Sequence, residues 1–293
     1  MSRPDNTTVH RPPDINADTI TQAVIARHAQ AGDPRLRELM TSLVQHLHAF
    51  AREVRLSEDE LGLALRFLVE AGQLSASEGE AHHELALLSD TLGLSMLVAA
   101  LGDHRTRHGT EATLSQPLQR APAPPREPGA WLKPASSGAT LHVRGRVAGP
   151  DGAPLAGAQL EVWQPGAAGR FACDAQGRYR FRTECPQPVQ LPQQGPVGGL
   201  LTALGRACWR PAHLQFRVSA PGCRTLATHV FRDGSPHLAD DAAFAVRRSL
   251  VAPWTEHAPG LAPDGQPSTE PFYTLDFDFR LAADTAAPAQ RAA

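Results

Sequence analysis

Tyrosine is nearly absent from this chain: its 293 residues include two tyrosines, against ten phenylalanines and four tryptophans. Any chemistry that needs a phenolic oxygen must therefore use Tyr179 or Tyr273. Paired cysteines are also missing. Cys173, Cys185, Cys208 and Cys223 offer no Cys-x-x-Cys spacing, which excludes a zinc knuckle or a redox pair and reads as reduced thiols of a cytoplasmic protein. There is no long basic run and the formal net charge is -2, so the electrostatic footprint of a nucleic-acid or anionic-membrane binder is lacking. No apolar run reaches the roughly 18 residues that would suggest a membrane span. The polar start, MSRPDNTTVHRPPD, has no signal-peptide apolar core.

The composition is globular, 42% hydrophobic and 20% charged, and the length suits one large or two small domains. After a polar tail at 1–15, residues 16–105 read as helical. Ile20, Val24 and Ile25 mark a first helix; Asp33 as N-cap and Pro34 at the first helical position open a second. Its apolar row is Leu36, Met40, Leu43, Leu47, Phe50 and Val54. Ser57 and Glu60 form a capping box for a third helix, expected to stop at Gly72, and Ser75 with Glu78 repeat the pattern for a fourth. Leu85, Leu88 and Leu92 continue it, and Met96, Leu97 and Leu101 add a last short helix, about five in all. His82 and His83 are expected inside the fourth helix as ordinary polar positions, because no partner at metal-ligand spacing accompanies them.

Residues 106–135 form a Pro-rich linker whose APAPPREPG cannot hold a helix interior or a central strand. From 136 to 283 the period changes to two. Alternating segments run over 141–147, 158–163, 178–182 and 272–281, with turns at 149–152 and 174–177, and a polar tail follows at 284–293. The fold class expected is mainly β, an antiparallel β-sandwich preceded by a small helical domain. Within it, residues 205–231, GRACWRPAHLQFRVSAPGCRTLATHVF, read as two strands joined by a Pro-Gly turn. They carry Arg210, His213 and His229.

This text resembles the intradiol ring-cleavage dioxygenases. The matching stretches include VRGRVAGPDGAPLAGAQLEVWQ, GRFACDAQGRYRFRT, PVQLPQQGPVGGLL, GRACWRPAHLQF, APGCRTLATHVF and LADDAAFAVRRSLV. In the helical part LLSDTLGLSMLVAALGDH looks like the family's dimerisation region, and THVF favours the hydroxyquinol branch. The resemblance implies a helical dimerisation region on a β-sandwich, a homodimer joined through the N-terminal helices, and a small aromatic diol or triol as ligand. It also implies Fe(III) held by two tyrosinates and two histidines, hard donors suited to a hard ion.

Carried over position by position, His213 is the one metal ligand kept. Gln215 stands where the family has its second histidine, on the same strand face. Val189, in PQPV, replaces one tyrosine. The loop that would carry the other looks cut out between Trp163 and Gly169, leaving Phe171 as the nearest aromatic. Neither Tyr179 nor Tyr273 matches a ligand position. Arg210 matches the arginine credited with stabilising the ring, a fixed cation near developing oxyanion charge; pairing with a carboxylate is its structural alternative. Pro117, Leu118, Phe244, Ala245 and His229 match substrate-pocket positions, whereas Gln116 and Gln119 depart from the family's Gly and Tyr. The expectation is thus a family protein in which Fe(III) is weak or absent, binding an aromatic ligand or pairing with an active paralogue. The alternative is a rebuilt metal site using His213 and His229 with Gln215 or a carboxylate such as Asp174. An unrelated hydrolytic or binding use of the scaffold is a third.

Overall fold

The computed structural model describes residues 15–77, 83–103, 109–114, 122–136 and 138–284. In chain order the helices are α1 (Ile20–His28), α2 (Pro34–Glu53), α3 (Glu58–Ser77), α4 (Glu84–Thr91), α5 (Leu94–Asp103) and, far downstream, α6 (Pro196–Ala203). The longer strands are β1 (Thr140–Ala148), β2 (Gln159–Gln164), β3 (Ala167–Ala172), β4 (Arg178–Glu184), β7 (His213–Ser219), β8 (Leu226–Arg232) and β13 (Phe272–Asp276). Shorter ones are β5 (Val189–Gln190), β6 (Trp209–Arg210), β9 (Val251–Ala252), β10 (Thr255–His257), β11 (Gly260–Leu261), β12 (Pro267–Ser268) and β14 (Phe279–Arg280). The chain divides into two compact units, Met1–Phe67 and Leu68–Ala293.

In the first unit the caps form as the sequence predicts. Asp33 Oδ1 accepts from the backbone N–H of Arg35 at 2.8 Å and of Leu36 at 3.3 Å. Glu60 Oε2 accepts from Ser57 N and Ser57 Oγ, while Glu60 N donates to Ser57 Oγ, the reciprocal pattern of a capping box. Two helical details differ from expectation. α3 passes Gly72 and runs to Ser77; Ser75 lies in its last turn, where its Oγ donates to Ala71 O at 2.8 Å and accepts from Leu85 N at the start of α4 at 3.4 Å, while Glu78 lies outside the described residues. His83 is the N-cap residue of α4 rather than an interior position, and His82 lies outside the described residues. Among the described residues no single helix is long and apolar enough to cross a membrane; α4 and α5 pass such a test only as a pair, bent by 66°.

The second unit holds a sandwich of two five-stranded sheets. One has the order β10-β13-β1-β14 with β4 on β1; the other runs β3-β2-β7-β8-β9. Side chains alternate as period two requires: Tyr179 and Phe181 of β4 are buried while Arg178 and Arg180 are exposed. Leu141, Val143, Leu160, Val162, Leu214 and Phe216 meet between the sheets. Phe171 and Phe181 stack at 4.9 Å. Phe171 is therefore a core residue, fully buried, and not part of a polar site. The sheets are mixed rather than wholly antiparallel, since β1 pairs in parallel with β13 and β14. The segment expected as one strand over 272–281 is broken between β13 and β14. There Phe277 O accepts the Tyr179 hydroxyl at 2.6 Å and lies 1.8 Å from where a Cβ on Gly145 would stand, so only glycine fits at 145.

Candidate functional site

β7 and β8 pair with Gln215 opposite His229 and His213 opposite Phe231, and β2 sets Trp163 opposite Gln215. Cross-strand partners share a face, so these five side chains lie together on the side of β7 facing away from Leu214 and Phe216. Phe231 also belongs to a second apolar cluster with Met96, Leu114, Ala243, Ala245 and Leu250. That cluster places α5, the segment around 114 and the 243–250 segment over this face.

His213 and His229 come together, their ring centroids 5.0 Å apart and edge-on. His213 Nδ1 sits 2.7 Å from Pro211 O. A carbonyl can only accept, so Nδ1 carries the proton and Nε2 keeps a lone pair. Burial, and then the Arg210 charge, pushes the His213 pKa down to about 3, although the ring edge keeps some exposed area. The neutral imidazole with a free Nε2 lone pair is the form a metal ligand needs. His229 is buried and its Nδ1 lies 2.6 Å from Thr113 Oγ1.

Arg210 follows Val189 across the β5–β6 ladder, directly opposite it. Its Nε donates to Asp241 Oδ1 at 3.1 Å, and its Nη2 is buried with no hydrogen-bond partner. Asp241 in turn accepts from Ala243 N and Ala245 N, so one buried carboxylate both holds the guanidinium and ties the turn around Phe244. Phe244 has φ +54°, is exposed, and lies 4.7 Å beneath the Arg206 guanidinium; Ala245 is buried. Asp90 is buried, its pKa raised by desolvation and partly restored by Ser95 and Arg210. Its Oδ1 also lacks a partner. Sequence reading missed Asp90 and Asp241. Both lie in quoted family stretches, LLSDTLGLS and LADDAAF, but nothing in their own spacing singles them out. Pro117, Leu118, Gln116 and Gln119 lie outside the described residues.

Among the described residues no group of three or more His, Cys, Asp or Glu comes together as a metal set. Asp174, considered as a third ligand, instead accepts from the backbone of Gln176 and Arg178 in its own turn. β2 and β3 join through the two residues Pro165 and Gly166, with Gln164 paired to Ala167 and Gly166 at φ +77°. The Tyr273 hydroxyl donates to Glu256 Oε2 at 3.0 Å and that of Tyr179 to Phe277 O. All four cysteines are free thiols.

Comparison with known proteins places this arrangement. A family model described as Dioxygenase matches residues 167–283, and one described as Catechol dioxygenase N terminus matches 33–110. The 6-chlorohydroxyquinol 1,2-dioxygenase of Cupriavidus pinatubonensis is 42% identical over 278 residues, covering 89% of this chain and 96% of the relative. The hydroxyquinol 1,2-dioxygenase of Rhodococcus opacus is 39% identical, covering 84% and 87%. The solved hydroxyquinol 1,2-dioxygenase of Pseudomonas putida superposes with a TM-score of 0.80 at 35% identity, covering 92% of this chain and 99% of its own. With a helical N-terminal region, a β-sandwich and these relatives, the chain belongs to the intradiol ring-cleavage dioxygenases. Its similarity falls in the hydroxyquinol branch.

Proposed function

We propose that this chain is a hydroxyquinol-branch protein that does not assemble the ferric site of its family. It binds an aromatic diol or triol without opening the ring, or partners an active paralogue. The carrying observation is the donor set. Of the four positions that the resemblance assigns to iron, one offers an imidazole, His213. Gln215 offers a neutral amide, Val189 offers no donor, and the loop for the remaining tyrosine is replaced by the Pro165–Gly166 turn. Tyr179 and Tyr273 are engaged elsewhere. Phenolate and imidazole are what a ferric ion needs here, and these residues do not fit it. In this reading Arg210 is the cation for the ligand's oxygens, with Pro117, Leu118, His229, Phe244 and Ala245 around the ring.

The partner is a second copy of the chain or its paralogue, met through the N-terminal helices. Leu36, Met40, Leu43, Leu47 and Phe50 of α2 and the following Val54 are exposed at alternating four- and three-residue spacing, the pattern of a helix seam. A cytoplasmic location accords with four free thiols. The 5.0 Å approach of His213 and His229 favours a second reading, a rebuilt two-histidine divalent-metal site.

Iron analysis with visible spectroscopy separates these. The purified protein is expected to be colourless, to hold substoichiometric iron and to bind hydroxyquinol without turnover. A red, iron-replete preparation that opens hydroxyquinol overturns the proposal. Gln215→His alone should stay colourless, because both tyrosinates would still be missing. Stoichiometric divalent metal lost in His229→Ala would establish the second reading instead.

A further inference from the structure

A cavity of about 1090 Å³ lies away from His213, over the outer face of β1 and β4. Its floor is a block of arginines. Arg144 stands directly opposite Arg180, and Arg146 directly opposite Arg178. Like charges opposite one another on a sheet oppose folding, so two such pairs side by side call for a compensating anion.

The protein's own carboxylates compensate only in part. Five arginines and four aspartates line the cavity. Asp276 pairs with Arg144, and Asp264 pairs with Arg182. Asp174 accepts backbone N–H groups of its own turn, and Asp278 accepts the N–H of Arg146. The guanidinium groups of Arg146, Arg178 and Arg180 make no ion pair among the described residues. The face is walled by Pro128 and Gly129 on one side, where Gly129 N donates to Arg180 O, and by the β11–β12 hairpin at Pro263 and Asp264. Arg146, Arg178 and Arg180 are exposed on the floor of this recess, so an anion from solution can reach all three guanidinium groups.

We propose that this recess binds a small dianion carrying two oxyanion groups, such as a dicarboxylate or an oligophosphate. Guanidinium forks take either group by paired N–H donation. Arg146 and Arg178 hold one end, and Arg180, two residues along β4 and about 7 Å away, holds the other. One anion then relieves both like-charge pairs. The site is independent of the reading given to His213 and Arg210.

Calorimetric titration of the full chain with adipate and with pyrophosphate tests this, with acetate as the single-charge control. Saturable binding of at least one dianion is expected, about tenfold or more tighter than acetate and weakened by salt. Adipate and pyrophosphate separate the two sources. The double variant Arg146→Gln with Arg178→Gln should lose about tenfold or more in affinity, while melting no lower than the parent without ligand because a like-charge pair is gone. Arg210→Lys should leave the affinity unchanged. Failure of both dianions to saturate, equal binding by the double variant, or loss through Arg210→Lys would each overturn the proposal.

Discussion

The first unit of this chain and the sandwich of the second place their apolar side chains oppositely. In the first, α1 and α2 bury no residue at all, and Leu36, Met40, Leu43, Leu47 and Phe50 of α2 are exposed. In the second, Phe171, Phe181, Phe216 and Phe279 are each almost wholly buried between two sheets. The sandwich carries its own core. The helices carry half of one, and the heptad-like spacing of their exposed face points to another helix as the other half. This division also bears on the proposed change of donors at His213, Gln215 and Val189. The sandwich owes its stability to the phenylalanine core, to which His213, Gln215 and Val189 do not belong, and to backbone ladders, which these three join through main-chain groups that any side chain would supply, so its form does not depend on which side chains stand there. The helical unit keeps the surface through which a subunit, active or not, would be joined.

The largest expected effect strikes the helical unit. Leu43→Glu combined with Leu47→Glu removes two leucines from the seam. Each is worth about 1.5–3 kcal/mol when buried, so association should weaken by a factor on the order of 100 or more. Sedimentation should then show a monomer, while the melting of the sandwich stays as it was. An unchanged oligomer would place the interface elsewhere.

In the sandwich the counterpart is Phe216→Ala. Phe216 is fully buried with Phe279 at 5.0 Å and Phe181 at 6.4 Å, and its truncation should cost about 3–5 kcal/mol. The loss should not depend on protein concentration, whereas stability of the helical unit should. A concentration-dependent loss at Phe216 would erase the contrast between the units.

Much of this contrast was legible in the sequence. Period-two alternation located β1, β2, β4, β7 and β8, because each has one face in the core. The turn glycines Gly152, Gly177 and Gly222 all take positive φ, as their turn sequences required. The Asp33 and Ser57 caps are local hydrogen-bond patterns and were equally readable. What escaped was non-local. Parallel pairing of β1 with β13 brings residue 140 against residue 272, and no window of sequence contains both. The break near Phe277 depends on Gly145 and Tyr179, and Ser75 reaches the start of α4 across ten residues, from inside α3. At the site, the meeting of His213 and His229 on neighbouring strands was legible from the alternation of β7 and β8. Asp241 was not, since its role comes from lying beside an arginine 31 residues earlier.

Acid should act on the sandwich through His142, which is buried on β1 with its ring 5.4 Å from Phe272. Burial lowers its pKa; Asp264 opposes the shift, while Arg182 and His257 add to it. Below about pH 6.5 the unfolded chain then takes up a proton that the folded chain refuses, so stability falls as pH drops toward the lowered folded value. Above that range the group contributes no pH dependence. The slope is at most about 1.4 kcal/mol per pH unit. His213, with its pKa pushed down to about 3, adds an acid limb of its own, so His142→Phe should make the fall between pH 6.5 and 5 shallower without abolishing it, measured as melting temperature against pH, and leave the pH 8 value nearly unchanged. Parallel acid limbs in parent and variant would place the sensitivity in another group.

The smallest effect belongs to the helical unit again. Ser57→Ala deletes the hydroxyl that accepts from Glu60 N and donates to Glu60 Oε2, so the start of α3 loses one side of its capping box. The cost should be about 1 kcal/mol. In a unit with its own core that loss would be read directly as a lower midpoint. Here it should be read only when the seam is free. At high protein concentration association adds to the stability of the folded helices by mass action and moves the transition away from the loss. Dilution should expose it. If Ser57→Ala lowers the midpoint equally at every concentration, the helices are stable on their own and their exposed leucines are surface rather than seam.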